Sequence, residues 1–397
     1  MRRAVLAGAG VIRETPVLSS RTLGERSGGE VVLKAENLQR TGSFKLRGAL
    51  AKIAALGPAC AEGVVAGSAG NHAQAVAYAA RARGVPCEVF MPEIAPIAKV
   101  EAATALGAVV HLVGTTVDAS LAAARERADS SALTFVHPFD DPDVIAGQGG
   151  VGLELLEQAP ENLVRVLVPV GGGGLVSGVA VAMKSQRPEI EVIGVQVQRC
   201  AAVRASLAAG APVEVPSAIT IADGIAVKRP GELTLELIRR WVDDVVVVTE
   251  DDVAEAMMFL LERAKLVVEG AGAVGVAALL GGLVSPAPDG TTAVVISGGN
   301  VDAGLLAELA RRHETLAGRR LVLVTRLPDL PGALARLLAL VAEQRANLLD
   351  VQHVREGVDL HVRETAVQLV LETRSPEHAD EVGQAVRAAG YETRVVR

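Results

Sequence analysis

A run of buried-strand character at residues 164–170 leads directly into four consecutive glycines, Gly171-Gly172-Gly173-Gly174, then Leu175 and a helical pattern from Val176. Few folds can use such a junction. A strand that feeds a helix through a turn without side chains leaves the first helical N–H groups unobstructed, which makes a cradle for a phosphate. A plain tight turn is the alternative reading. The dinucleotide pattern does not apply, because Val176 or Ser177 stands where a third glycine is needed. No Lys-Ser/Thr pair follows either, as an NTPase loop would require.

The same strand-to-helix step recurs along the chain. Residues 63–68 read as a brief buried strand running into Ala69-Gly70-Asn71-His72-Ala73-Gln74, with an Ala-rich helix over 75–83. Strands at 86–91, 108–112 and 134–136 then alternate with helices at 95–106 and 118–128. Such alternation predicts an α/β chain with parallel sheets and helices on both faces. Residues 50–140 form one compact subdomain in this reading, and 142–316 repeat the alternation in a larger one joined by the N-terminal segment. Between 14 and 40 the pattern is a turn around Thr15-Pro16 and short strands, Val31 to Lys34 the clearest. Composition agrees, since half of the 397 residues are apolar and only 2% aromatic, which suits helices lying close on buried strands. That length implies two or three domains.

Ahead of these units lies Thr41-Gly42-Ser43-Phe44-Lys45-Leu46-Arg47-Gly48-Ala49, where an extended segment gives way to a helix with Leu46, Leu50, Ile53 and Ala54 on one buried face. Thr41 and Ser43 are natural N-caps, so Lys45 falls in the first turn. The helix dipole and any desolvation around Phe44 disfavour an ammonium there. A lysine held partly neutral is a nucleophile and a base, the state that forms an imine with an aldehyde cofactor. A surface lysine is the bland alternative.

Other classes fall away. A net charge of −7 argues against a general nucleic-acid binder. Cys60, Cys87 and Cys200 show neither CxxC nor a histidine at ligand spacing, and there is no HExxH, so no metal site and no disulfide framework is expected. The uncharged runs 166–183 and 270–288 are broken by glycine and proline and read as buried strand–loop–helix pieces rather than membrane spans. The apolar run at the N-terminus is short and meets Arg13-Glu14, so export is not expected and a cytoplasmic setting is. Gly270-Ala271-Gly272-Ala273-Val274-Gly275 satisfies GxGxxG, but residues 265–269 make a poor strand after a long helix over 251–263. Close helix packing, with Glu269 facing a site, fits better than dinucleotide binding. After a strand at 292–296, Ser297-Gly298-Gly299-Asn300 stands at a carboxyl end, where α/β sheets bind ligands.

Together these stretches resemble the pyridoxal-phosphate enzymes of the tryptophan-synthase-β fold (fold type II), and among them the threonine dehydratase (threonine ammonia-lyase) family. The resemblance runs from about residue 13 to 313, in order and spacing, and includes Gly147-Gln148-Gly149 and Ala222-Asp223-Gly224 besides the motifs above. It implies that Lys45, beside Phe44, holds pyridoxal 5′-phosphate as an imine and later removes the substrate Cα proton. Asn71 would bond the ring's 3′-oxygen; Gly171, Gly172, Gly173, Gly174 and Leu175 the phosphate; Ser297 the pyridine nitrogen; and Glu269 would border the cofactor. A neutral hydroxyl at the ring nitrogen suits expulsion of a β-leaving group over transamination. Ser68, Ala69, Asn71 and the N–H groups up to His72 would bind the substrate carboxylate, and the family's suggested proton donor to the leaving hydroxyl is the cofactor phosphate. Serine racemase, which shares the fold, carries a serine where this chain has Ala69, and alanine donates no proton. One-sided elimination from L-threonine, and also from L-serine, is therefore favoured over racemisation, with serine dehydratase, serine racemase or a non-catalytic amino-acid sensor as alternatives.

From residue 319 the pattern becomes strand, helix, two strands, helix, strand, a ferredoxin-like order. Asp329-Leu330-Pro331-Gly332 and the Asn347 that opens the second of these strands resemble the ACT regulatory domain, giving a catalytic domain over 1–317 and a regulatory one over 318–397. The resemblance implies an amino-acid effector, isoleucine the first choice, near Asp329, Pro331, Gly332 and Asn347, and a homo-oligomer, a dimer or tetramer. No nucleic acid and no membrane enters this reading.

Overall fold

The computed structural model describes residues 1–216, 219–355 and 360–396. It divides into two compact units, Met1–Val301 and Asp302–Arg397. The first unit contains β1 (Val17–Ser19), β2 (Glu30–Ala35), β3 (Val64–Gly67), β4 (Cys87–Met91), β5 (Val109–Leu112), β6 (Thr134–Phe135), β7 (Leu163–Pro169), β8 (Glu191–Val197), β9 (Asp244–Val248) and β10 (Thr291–Ile296). They make an all-parallel sheet β5-β4-β3-β6, and a larger sheet β1-β2-β10-β7-β8-β9 that is parallel except for β1. The α/β architecture read from the alternation is present in both. β3 and β10 are buried along their whole length, as strands covered on both faces must be. The run 166–183 separates into β7, the glycine turn and a helix Gly174–Lys184, and among the described residues no helix is long and apolar enough to cross a membrane.

Two local expectations need correction. A helix, Arg21–Ser27, lies between β1 and β2 where only strands were expected. Leu23 is its one buried side chain, so it carries almost no periodic signal, and Gly28 in the left-handed region (φ 88°) ends it. The second concerns the lysine helix, Lys45–Leu56. Neither Thr41 nor Ser43 caps it; the N-cap position is Phe44, in helical conformation (φ −57°) with no side-chain cap. The hydroxyls of Thr41 and Ser43 are buried without a partner. The segment instead joins the end of β10 through its main chain, with a bridge between Ser43 and Gly298 and a bond from the Phe44 N–H to the Ser297 carbonyl at 3.1 Å.

The lysine helix crosses helix Pro142–Gln148 closely because both are bare at the contact. A Cβ on Gly147 would lie 2.5 Å from the Arg47 carbonyl and 2.7 Å from the Gly48 Cα. A knot of buried charge holds the helix from the other side. Arg47, 1% exposed, donates to both Glu36 oxygens (2.8 and 2.7 Å) and to both Glu154 oxygens (2.5 and 2.8 Å). Lys34 donates to Glu154 at 2.6 Å, to Gln158 at 2.7 Å and to the Thr15 carbonyl at 2.6 Å, while the Thr15 hydroxyl donates to Glu36. Two cations thus meet two carboxylates. Burial opposes the Glu36 charge, but Arg47 holds this carboxyl below its ordinary range; for Lys34 burial prevails and lowers it.

The second unit begins with helix Ala303–Leu316, so the division falls ahead of the expected 317/318 join. Then follow β11 (Arg320–Pro328), helix Ala333–Glu343, β12 (Asn347–Val354), β13 (Glu364–Glu372), helix Pro376–Ala388 and β14 (Thr393–Val396). The sheet is antiparallel in the order β12-β13-β11-β14, and its core includes Leu323, Leu337, Leu369 and Val382.

Truncating Arg47 to alanine leaves two carboxylates facing one lysine in a dry site. Arg47→Ala should lower unfolding stability by about 3–5 kcal/mol, read by urea denaturation. The paired replacement Arg47→Met with Glu36→Gln should cost less than the sum of its parts. Strict additivity would show that the charges do not act as a unit.

Candidate active site

One cavity in the first unit gathers residues that follow β3, β7 and β10 together with the start of the lysine helix. Phe44, Lys45, Asn71, Gly171, Gly172, Gly173, Gly174, Leu175, Glu269 and Ser297 all line it. These are distant in sequence: β3 belongs to the smaller sheet and β7 and β10 to the larger one, so residues beyond the carboxyl ends of strands from both sheets line the one cavity.

Lys45 is the first residue of its helix. Its Nζ donates to the Pro138 carbonyl at 2.8 Å and lies 5.3 Å from the centre of the Phe44 ring. Burial pushes its amine down to about 8, with the charge of Glu269 opposing. Glu269, 4% exposed, is pushed the other way, up to about 7, by burial and then by Asp223. Its carboxylate accepts from Asn71 Nδ2 at 2.7 Å, and Asn71 Oδ1 accepts from Asn300 Nδ2 at 2.7 Å. Ser297, 2% exposed, follows directly on β10.

The glycine turn supplies a further part of the lining. Gly173 has φ 99°, which side chains rarely adopt, and a Cβ on Gly172 would lie 2.4 Å from the Phe139 ring. The Gly172 carbonyl is taken by the Thr234 hydroxyl at 2.7 Å. The first-turn N–H groups of helix Gly174–Lys184, which lack intrahelical partners, are left to the cavity side. A bare, positively polarised turn, a partly neutral lysine, a hydroxyl and an amide lining one cavity fit a phosphorylated aldehyde of pyridine.

The four residues expected at the substrate carboxylate lie at the head of helix Asn71–Arg83, and of these Asn71 alone lines the cavity. The Ser68 hydroxyl accepts from the Gly70 N–H at 3.1 Å. The ring of His72 is turned away, its Nε2 2.9 Å from the Val136 carbonyl, and burial then Lys45 push it down to about 3, so it stays neutral and only its backbone can serve a carboxylate. The helix itself starts at Asn71, four residues earlier than its alanine pattern suggested.

Pro138, Phe139, Ile225 and Val227, which no sequence motif marks, also line the cavity; Gln148 and Gly224, which belong to motifs without an assigned role, join them. Phe139 covers the glycine turn, and its N–H and that of Asp140 donate to His137 Nδ1 at 3.2 and 2.7 Å. His137, pushed down to about 4 by burial and then by Arg125, is a neutral acceptor that shapes this loop. A lone His-Pro-Phe step carries no periodicity by which it could have been picked out.

In the second unit, Asp329, Pro331 and Gly332 form the turn after β11, and Asp329 pairs with Arg355 at 3.0 Å. Asn347 is not beside them. The strand register sets Asn347 opposite Glu372, which itself pairs with Arg320, whereas the turn follows Pro328, paired with Glu364. Eight residues of strand separate the two ends, roughly 25 Å.

Fold and cavity define a pyridoxal-phosphate dependent enzyme, and the family model "Pyridoxal-phosphate dependent enzyme" matches residues 9–298. The chain is 47% identical to the L-threonine ammonia-lyase of Thermotoga maritima over 97% of its own length and 96% of that protein's. Among solved structures, a T.th. threonine deaminase aligns with a TM-score of 0.68 at 42% identity, covering 75% of this chain and 96% of that one. Maize serine racemase aligns with a TM-score of 0.74 at 36% identity, covering 79% and 97%. Within the pyridoxal-phosphate class, the chain belongs to the L-threonine ammonia-lyase family.

The lowered amine has a direct signature. In cofactor-free protein, reaction of Lys45 with an amine-directed reagent, followed by peptide mass spectrometry, should rise with pH to an inflection near 8 rather than at the ordinary 10.5. Between those values the unfolded chain keeps a proton that the folded one has lost, so Lys45 makes stability increase with pH across that window. An inflection at 10.5 would show that the site does not disfavour the ammonium.

Proposed function

We propose that the protein converts L-threonine into 2-oxobutanoate and ammonia, and acts also on L-serine. The observation that carries this reading is the partly neutral Lys45 amine in one cavity with a glycine turn and the uncharged Ser297 hydroxyl. The names of the relatives support it.

When bound, pyridoxal phosphate supplies an electron sink next to the substrate's Cα. The chain supplies the rest. Lys45 would hold the cofactor's aldehyde, and its free amine would be the base that takes the Cα proton; the Pro138 carbonyl, which accepts its N–H, aims it. N–H groups of residues 171–175 hold the phosphate, Asn71 the ring oxygen, and Ser297 the ring nitrogen without a charge. Ser68, Ala69 and the N–H groups of Asn71 and His72 hold the substrate carboxylate at a helix N-terminus. The Cα–H and Cβ–O bonds break, the hydroxyl leaves as water, and hydrolysis of the released enamine returns that water, so ammonia is the net loss. Ala69 offers no proton to the opposite face of Cα. This separates the reading from racemisation, despite the likeness to maize serine racemase.

The C-terminal unit is an ACT-like regulatory domain in this proposal. It reads an amino-acid effector, isoleucine first, in a homo-oligomer that opens isoleucine biosynthesis in the cytoplasm. Since Asn347 and the Asp329–Gly332 turn stand at opposite ends of one sheet, an effector touching both would need them from two copies of the domain.

Incubation with L-threonine should yield 2-oxobutanoate, and Lys45→Ala should lower turnover by about a thousandfold or more. Undiminished turnover in that variant would end the proposal. With L-serine no D-serine should accumulate, and isoleucine should move the threonine saturation curve.

A further inference from the structure

The Asn71 amide is gripped at both ends. Its Nδ2 donates to Glu269 Oε1 at 2.7 Å and its Oδ1 accepts from Asn300 Nδ2 at 2.7 Å. The same Asn300 nitrogen donates to the Thr41 carbonyl at 2.8 Å. A carboxamide presents a donor at one end and an acceptor at the other, and which end faces a ligand depends on its neighbours.

Here the order starts from the main chain. A backbone carbonyl only accepts, so Thr41 requires the nitrogen of Asn300. The second hydrogen of that nitrogen points to Asn71, whose facing atom must then be its oxygen. The Asn71 nitrogen is left for Glu269 and, with its other hydrogen, for the cavity it lines. Glu269 cannot dictate this direction by itself, because a carboxyl pushed up to about 7 carries a proton for part of the neutral range and can then donate as well as accept. Asn300 has little room to turn: a Cβ on Gly42 would come within 2.2 Å of its Oδ1. Its own N–H also holds Glu269.

We propose that Asn300 is a positioning residue for the cofactor: taking its direction from the Thr41 carbonyl, it sets the Asn71 amide so that an N–H, and not a carbonyl, meets the ring oxygen of pyridoxal phosphate. This rests on the reading that Asn71 is the residue at that oxygen. The isosteric Asn300→Asp keeps shape but replaces the donor by an acceptor. Asn71 is then free to turn its nitrogen toward the new carboxylate and its oxygen toward the ring.

The test uses full-length protein freed of cofactor and titrated with pyridoxal phosphate. Two readouts are taken: the dissociation constant, and the position and pH midpoint of the bound chromophore's visible band. Asn300→Asp and Asn300→Ala should each weaken binding about tenfold and shift the band. The double variant Asn71→Ala with Asn300→Ala should be no worse than Asn71→Ala alone, because Asn300 acts through Asn71. Asn300 variants that titrate and absorb like the wild type, while Asn71→Ala does not, overturn the inference; so do additive losses in the double variant. If Asn71→Ala itself binds and absorbs normally, the reading beneath fails, and this variant alone tells the two failures apart. Melting of the cofactor-free variants controls for folding, since a purely structural role lowers the melting temperature without moving the band.

Discussion

Two residues beyond the lysine at the cavity wall, a guanidinium with almost no access to water holds two carboxylates, and the active-site end of the chain depends on that grip. Arg47 ties the lysine helix to Glu36, just past β2, and to Glu154 on helix Gly150–Gln158. The helix has no side-chain cap at its N-terminus, so its first turn would otherwise be free to fray. It is pinned from inside by Arg47 and from outside by the main-chain link of Phe44 to Ser297. That second link runs between the neighbour of Lys45 and the residue proposed for the ring nitrogen. The spacing across the cavity is thus fixed by backbone and by a charge-balanced knot, not by flexible side chains. Such a knot adds little net stability compared with an apolar core, but it tolerates few alternative arrangements.

Much of this was legible because glycine and periodicity leave marks that distance in sequence cannot hide. Strand–turn–helix alternation marks both sheets, and the glycine turn, Lys45, Asn71, Glu269 and Ser297 are separate motifs that line one cavity. The GxGxxG run is explained by packing. A Cβ on Gly272 would sit 2.6 Å from the Gly298 carbonyl, and one on Gly275 would sit 2.5 Å from Val294. Its glycines let helix Gly270–Leu280 lie on β10 and carry Glu269, as its N-cap residue, to the cavity.

What stayed hidden was decided by tertiary contact. A good capping side chain is only an offer: the Ser43 main chain bridges to Gly298, and its hydroxyl is left without a partner. Phe139 gains its place from a glycine over thirty residues away, and nothing local marks it. Helix Arg21–Ser27 rests on one buried leucine. Asn347 and the Pro331-Gly332 turn look like neighbours in a motif, yet antiparallel pairing sends them to opposite ends of a nine-residue strand.

The electrostatics of the cavity follow from one cause acting on two groups of opposite sign. Burial disfavours charge, so it lowers Lys45 to about 8 and raises Glu269 to about 7. The histidines nearby cannot interfere, since burial keeps His72 and His137 neutral, at about 3 and about 4. Among the described residues lining the cavity, Lys45 is then the one side chain able to carry positive charge, and it must lose that charge to act as a base. A bound phosphate cannot rely on it. In the proposed reading anion binding falls to the N–H dipoles of the glycine turn and of the helix that follows, which carry no titratable proton. Separating the two proposed tasks would let the amine change protonation state during turnover while the hold on the phosphate stays constant.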